Sequence, residues 1–353
     1  VSVSFPLARD FGLIPDGHLR PGALNALCDV PGVAVGHRTI RRDAIATGVT
    51  AILPHGGDLF RDKVRAGVEV INGFGKSVGL IQVRELGTIE TPLLLTNTFG
   101  VSACADRLIR RGIAANPAIG RATSTINPLV LECNDGAIND IQAFAVSGDD
   151  ADAALAAARP GPVAQGALGA GTGMTAFGFK GGIGTASRRM TLDGRTFTLG
   201  VLVLANFGVS GDLVLPDGRR PSPRAPGGEE RGSVIVVMGT DLPLDDRQLT
   251  RVARRGAAGL ARLGAFWGNG SGDIALCFST ADRVAHDPAT PFAPVMRIAE
   301  PLIDLPFRAA AEATQEAVLN ALCAAPPTPG RDGAFFPSLA DWLRENPIHE
   351  NFS

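Results

Sequence analysis

Short apolar runs separated by glycine, proline and polar turns fill most of the chain, and their lengths predict strands more often than helices. Residues 48–53 and 68–72 read as short strands, and TPLLLT at 91–96 reads as a buried one. NPLVLE at 127–132 is another apolar strand, and its end delivers the polar run Glu132, Cys133, Asn134, Asp135. Polar groups crowded at the end of a buried strand mark a place where a site is expected. Helical spacing over 101–114 predicts a helix ending in Arg110 and Arg111, a basic turn suited to the negative end of the helix dipole. Ser147 and Asp150 have the spacing of a capping box, opening an alanine-rich helix that stops at Pro160.

Residues 1–47 carry turn signals around an apolar run at 33–35. The stretch GALGAGTGMTAFGFKGGIGTAS at 166–187 is glycine-rich enough to suggest a phosphate loop, but no Gly-x-x-x-x-Gly-Lys-Ser/Thr runs through Lys180. Tight backbone packing or a loop lining a substrate is the better reading. Asp193-Gly194 signals a hairpin into a long apolar strand at 196–205 that ends at Asn206. The texture then changes. Residues 216–232 (PDGRRPSPRAPGGEERG) are charged and broken by proline, as a solvated loop is, and SVIVVMG at 233–239 is a core strand. Ser233 stands at that junction. Beyond it the pattern predicts a helix over 245–263, a glycine-rich turn at 268–273, a strand over 274–279 and a helix over 307–324.

With 353 residues, 45% of them hydrophobic, the chain is long enough for one large α/β domain or two modest ones with a real core. A net charge of -2 gives no electrostatic footprint for nucleic acid. The five cysteines (Cys28, Cys104, Cys133, Cys277, Cys323) are too sparse for a disulfide scaffold and read as buried thiols. No run reaches 18 apolar residues, and the first residues lack a signal-peptide pattern, so the expectation is a soluble, cytoplasmic protein.

Hydrolytic chemistry through a conventional Ser-His-Asp triad is poorly supported. Around Ser210 the spacing misses Gly-x-Ser-x-Gly, and His18, His37, His55, His286 and His349 fall mostly in turn-rich or terminal segments, as surface histidines do. No His-Glu-x-x-His or close Cys/His cluster suggests a metal, and no cofactor is expected. Ser233 offers another route. Cutting the bond between Gly232 and Ser233 would give Ser233 a free α-amine, with a pKa near ~8, able to take the proton of its own hydroxyl. Glycine before the serine permits the strained backbone that hydroxyl attack on the preceding carbonyl needs. Ser271 and Asp273 place a second hydroxyl beside a carboxylate in a glycine-rich turn, where each can orient the other. Asn206 could aim a side-chain amide at a developing oxyanion.

Together these residues resemble the autoprocessing serine aminopeptidases of the L-aminopeptidase D-Ala-esterase/amidase type, which include the β-peptidyl aminopeptidases. The likeness runs through PGVAVG (31–36), GVTAILP (48–54), NPLVLECNDGAIND (127–140), GTGMTAFGFKGGIGTASR (171–188), LANFG (204–208), RGSVIVVMGTDLPL (231–244) and GSGDIALCFST (270–280). It implies a single α/β domain, a four-layer αββα sandwich like that of the N-terminal nucleophile hydrolases. It also implies self-cleavage into chains 1–232 and 233–353 that stay together and form a homo-oligomer. On this resemblance Ser233 is the nucleophile, Ser271 and Asp273 support it, Asn206 is the oxyanion asparagine, and Glu132 holds the free amine of the substrate. Two departures stand out: Asp273 replaces a glutamate, and the chain has no tyrosine for the oxyanion hole. Asn134 takes that place, where its amide can donate instead.

The expected function is therefore an aminopeptidase or amidase acting on small peptides, amides or esters with a free amine, with no nucleic-acid or membrane partner. The alternatives are an endo-amidase or acyltransferase using the same nucleophile, or a non-catalytic relative that serves as a binding module.

Overall fold

The computed structural model describes residues 5–14, 17–223, 229–230 and 232–347. In chain order the elements are β1 (Ala34–Arg42), β2 (Ile45–Leu53), β3 (Asp62–Gly73), α1 (Leu80–Leu86), β4 (Thr88–Ile89), β5 (Leu93–Asn97), α2 (Val101–Ala115), β6 (Leu129–Cys133) and α3 (Gly148–Ala157). Then follow β7 (Thr175–Ala176), β8 (Phe179–Lys180), β9 (Gly182–Leu192), β10 (Arg195–Asn206), β11 (Ser233–Thr240), α4 (Asp246–Ala253), α5 (Gly256–Ala261), β12 (Gly272–Ala285), α6 (Asp304–Cys323), β13 (Thr328–Pro329), β14 (Phe335–Phe336) and α7 (Leu339–Glu345).

Two sheets carry the fold, one in the order β1-β2-β5-β6 and one in the order β4-β3-β12-β11-β10-β9. Alternate residues of each strand point to opposite faces, which sorts the apolar side chains into three cores. Ile52, Leu93, Leu95, Leu129 and Leu131 of the first sheet meet Leu202, Leu204, Ile235, Val237 and Leu276 of the second in one core. On the other face of the smaller sheet, Val49, Ala51, Leu94 and Val130 pack on Cys104 and Leu108 of α2 and Ala151 and Ala154 of α3. On the other face of the larger sheet, Val201, Val203, Val234, Val236 and Ala275 pack under α4 to α7. Three interfaces separate four layers, and the expected αββα sandwich follows. Strands covered on both faces need apolar residues at consecutive positions, which is why SVIVVMG reads as an unbroken run.

The hairpin at Asp193-Gly194 forms as its residues require, with φ of 49° and 69° closing Leu192 onto Arg195. Ser147 caps α3, accepting the Asp150 N–H while the Asp150 carboxylate accepts from the Ser147 N–H. All five cysteines are buried and unbridged.

Several expectations need correction. Helix α2 runs on to Ala115, so Arg110 and Arg111 lie a turn inside it and pair with Asp106 and Asp152 rather than with the helix end. The helix expected over 245–263 is two helices: at Arg255 and Ala257 the bonds tighten to the carbonyls of Val252 and Arg254, three residues back. That break sets Gly256 on Met238 and Gly259 on the α6 backbone, contacts any larger side chain would block. His37 is not a surface histidine; it is half-buried in β1 with Nδ1 on the Thr50 hydroxyl, and desolvation lowers its pKa to about 4. His55 is buried, with Nε2 on the Asp62 carbonyl, and His349 lies outside the described residues. Within the solvated loop expected over 216–232, Glu230 is buried, and 224–228 and 231 lie outside the described residues.

The strand β9 was hidden by its glycines. Its Gly184 faces α6 so closely that a Cβ there would fall inside the Ala317 carbonyl, so the helix rests directly on the strand backbone. Gly184→Val should therefore destabilise the fold by about 1–3 kcal/mol or more through overpacking, read as a lowered denaturant midpoint. An unchanged midpoint would mean that α6 can stand off from the sheet.

Candidate active site

The larger sheet builds the centre of the site from one row of backbone pairings. Asn206 ends β10, Ser233 begins β11 and Gly272 begins β12; Asn206 pairs with Ser233, and Ser233 with Gly272. Residues distant in sequence thus stand side by side at the ~4.8 Å spacing of strands. Ser233 is 5% exposed. Its hydroxyl donates to the Gly232 carbonyl at 2.6 Å and accepts the Gly272 N–H at 3.2 Å. That same N–H reaches the Gly232 carbonyl oxygen at 3.4 Å. At Gly232 a Cβ would collide with the Asn206 carbonyl and with Phe207, so only glycine fits before the serine.

Ser271 and Asp273 flank Gly272. The Ser271 hydroxyl donates to Asp273 Oδ1 at 2.7 Å, and the N–H of Val234 donates to the same oxygen at 3.2 Å. The pair therefore reaches Ser233 through backbone: Asp273 holds the residue after it, and the N–H between the pair holds its hydroxyl. Asp273 Oδ2 is buried with no partner among the described residues. Burial pushes the Asp273 carboxyl up to about 6; the Ser271 hydroxyl opposes this and the nearby Glu230 carboxylate adds to it.

Asn206 has its amide fixed at both ends. Oδ1 accepts the Thr175 N–H at 3.0 Å and Nδ2 donates to the Asn134 carbonyl at 3.0 Å. An amide nitrogen carries two hydrogens, so Nδ2 has one more to donate than the bond to Asn134 uses. Thr175 is held by the glycine-rich stretch, whose turns are tied together by Lys180: its Nζ donates to the carbonyls of Gly171, Met174 and Gly181 at 3.1, 2.6 and 2.9 Å. Complete burial lowers the Lys180 pKa well below its usual value. This stretch is a packed organiser of Asn206, in keeping with the tight-packing expectation.

Glu132 comes from the smaller sheet, at the end of β6, and is 2% exposed. Its Oε1 accepts the Lys76 N–H at 2.7 Å and its Oε2 accepts the Thr98 hydroxyl. Gly75 fills the gap between the sheets, since a Cβ there would lie 3.5 Å from Glu132 Oε1 and 3.6 Å from Gly272 Cα. The Cys133 thiol donates to the Ser233 carbonyl at 3.3 Å, a second link across the sheets, and burial raises its pKa so far that it remains a thiol. Asn134 is exposed, with Oδ1 accepting the Gly136 N–H at 2.9 Å. It lines a cavity of about 620 Å³ together with Phe74, Phe266, Gly268 and Glu230.

All the residues singled out in the sequence thus lie in one neighbourhood. Sequence reasoning missed Thr98, the Lys76 and Gly272 amides, and Glu230. Backbone donors carry no residue signature, and Thr98 and Glu230 sit in segments without a motif. Among the described residues no three His, Cys, Asp or Glu side chains converge as a metal site would require.

Comparison with known proteins adds a family to this fold. The profile of peptidase family S58 matches residues 25–336. The beta-peptidyl aminopeptidase BapA of Sphingosinicella microcystinivorans is 39% identical over 362 residues, covering 94% of this chain and 89% of that protein. The structure of a Burkholderia sp. beta-aminopeptidase superposes with a TM-score of 0.87 at 41% identity, covering 96% of this chain and 99% of that one. That of the L-aminopeptidase D-Ala-esterase/amidase of Ochrobactrum anthropi, described as a prototype for the serine aminopeptidases and a variant of the Ntn hydrolase fold, gives 0.86 at 38% identity, covering 96% and 98%.

Beside the site, Asp135 is fully buried with one oxygen lacking a partner among the described residues, and desolvation raises its pKa from 3.8 to about 6. A raised acid stabilises the fold while protonated, and that contribution is lost as pH rises through about 6. The stability of Asp135→Asn relative to wild type should therefore increase with pH between 3.8 and about 6 and then level off, by up to about 3 kcal/mol. Denaturant titrations across that range would read it; a pH-independent difference would contradict the assignment.

Proposed function

The chain belongs to peptidase family S58, and from that premise we propose that it is a serine aminopeptidase that activates itself by cleaving between Gly232 and Ser233. The observation that carries the reading is the placement of the Ser233 hydroxyl on the Gly232 carbonyl, with the Gly272 N–H beside both. Ser233 Oγ attacks the Gly232 carbonyl carbon, and the Gly272 N–H offsets the charge that develops on its oxygen. The C–O bond forms, the hydroxyl proton passes to the departing nitrogen as the C–N bond breaks, and an ester is left. Water hydrolyses the ester to a Gly232 carboxylate and restores the Ser233 hydroxyl, now next to a free α-amine. The products are chains 1–232 and 233–353 in one αββα unit.

In the cleaved enzyme Ser233 attacks the carbonyl of a small peptide, amide or ester whose terminal ammonium lies against Glu132. The Ser233 amine, or the Ser271 and Asp273 pair, handles the proton, and the leaving amine or alcohol departs. Asn206 stabilises the tetrahedral oxyanion, and Asn134, which lines the cavity, serves as a second donor. The acyl-enzyme is then hydrolysed by water. Glu132 is suited to select an ammonium because it is buried and its oxygens are fixed by Lys76 and Thr98. Exposed Phe292, Val295 and Met296 support association of cleaved units into a homo-oligomer.

Intact mass under denaturing conditions tests the first claim: wild type should give two chains meeting at the bond between Gly232 and Ser233, and Ser233→Ala one chain. Activity of Ser233→Ala on aminoacyl p-nitroanilides should fall by more than about 1000-fold; a variant that still hydrolyses them would remove Ser233 from the reaction. Glu132→Gln should raise KM for a free-amine substrate about 10- to 100-fold, the loss of a charge-assisted contact of about 1.5–3 kcal/mol. Equal turnover of N-acetylated and free substrates would favour an endo-amidase instead.

A further inference from the structure

Three residues before Ser233, Glu230 is 7% exposed, an unusual place for a carboxylate in a charged, proline-broken loop. Its Oε1 accepts the Gly208 N–H at 2.8 Å and its Oε2 accepts the Gly268 N–H at 2.6 Å. The two donors come from different loops. Gly208 lies two residues past Asn206, and Gly268 opens the turn that leads to Ser271 and Asp273. The carboxylate therefore bridges the loops that present the two neighbours of the scissile bond. It does so from the segment whose end is that bond.

Building on the self-cleavage reading, we propose that Glu230 is a positioning residue for maturation: its carboxylate clamps the end of the first chain between the Gly208 and Gly268 amides, so that the Gly232 carbonyl lies against the Ser233 hydroxyl and the Gly272 N–H. Gly232 has no side chain to anchor it, and its carbonyl oxygen receives the Gly272 N–H only at 3.4 Å. A two-point anchor just upstream supplies the orientation that the peptide plane itself lacks. Turnover makes no such demand, because the carbonyl attacked then belongs to the substrate. Glu230 acts on the bond that is broken once, and its loss should cost cleavage more than it costs turnover by enzyme already cut.

The geometry also leaves an electrostatic signature. Facing Asp273 are the Ser271 hydroxyl, the Val234 N–H, the Cys133 thiol across the sheet interface and Glu230. Glu230 is the neighbour that raises the Asp273 carboxyl through its charge. Removing that charge lowers the pH at which Asp273 ionises.

The experiment is a time course of self-cleavage by intact mass for wild type, Glu230→Ala and Glu230→Gln, followed by kcat and KM of each fully cut protein. Cleavage of Glu230→Ala should slow by about 10- to 100-fold, the effect of misplacing a reacting group by about 1 Å. In the cut enzyme kcat should fall less than the cleavage rate does, because the carbonyl attacked there belongs to the substrate, while KM can shift, since Glu230 lines the cavity. Glu230→Gln should mature at an intermediate rate, its amide oxygen still able to accept one of the two N–H groups. Melting of Ser233→Ala and of Ser233→Ala with Glu230→Ala, both uncut, separates clamping from folding; matched transitions are expected. Wild-type cleavage rates in Glu230→Ala would overturn the proposal while leaving self-cleavage intact. So would a loss of kcat in the cut enzyme as large as the loss of cleavage rate, or a large loss of melting temperature in the double variant. An uncut wild-type chain would overturn the self-cleavage reading itself, and this assignment with it.

Discussion

The backbone ladder joining β10, β11 and β12 is the constraint on which the rest of the site depends. Asn206, Ser233 and Gly272 are brought side by side by main-chain pairing alone, in the one row where an antiparallel neighbour and a parallel neighbour meet at Ser233. A ladder is rigid because each residue is held on both sides, and slipping it by one residue would turn every side chain to the opposite face. With apolar cores on both faces of the sheet, such a slip would drive Ile235 and Val237 out of one core and Val234 and Val236 out of the other. The chemistry of the row is therefore protected by the hydrophobic packing of the whole strand.

Close approach of layers is the second requirement, and it explains the glycine and alanine in the composition. Helix α6 rests on β9 at Gly184, and Gly75 lets the loop after β3 pass between Glu132 and Gly272. Without that approach Glu132, which belongs to the smaller sheet, would not stand near a serine of the larger one. The Cys133 thiol on the Ser233 carbonyl reinforces the same junction. Structural economy and function coincide here, since small residues that pack the sandwich also bring its two halves of the site together.

Two buried acids are treated in opposite ways. Glu132 has both oxygens held by fixed donors, the Lys76 N–H and the Thr98 hydroxyl. Asp273 shares one oxygen between Ser271 and Val234, and its other oxygen is buried with no partner among the described residues. Hydrogen bonds to a carboxylate favour its charge and desolvation disfavours it, so burial pushes the half-partnered Asp273 carboxyl up to about 6. The donors around a buried acid decide how far its desolvation is offset.

Much of this was legible in the amino-acid sequence. The apolar runs at 48–53, 91–96 and 233–239, the Asp193-Gly194 turn and the Ser147 cap follow from side-chain size, φ preference and hydrogen-bonding capacity, which act over a few residues. So does the abrupt junction that singles out Ser233, and the resemblance that names Glu132, Asn206, Ser271 and Asp273 rests on the same residues. The strand β9 and the break between α4 and α5 were not legible, because glycine there answers to a neighbouring layer rather than to its own segment. Nor were the Gly272 amide, the hydroxyl of Thr98 behind Glu132 and the burial of Glu230. A backbone N–H is present at almost every position, and a loop carboxylate is polar wherever it lies; which ones matter is decided only when distant strands pair and fix what stands opposite them.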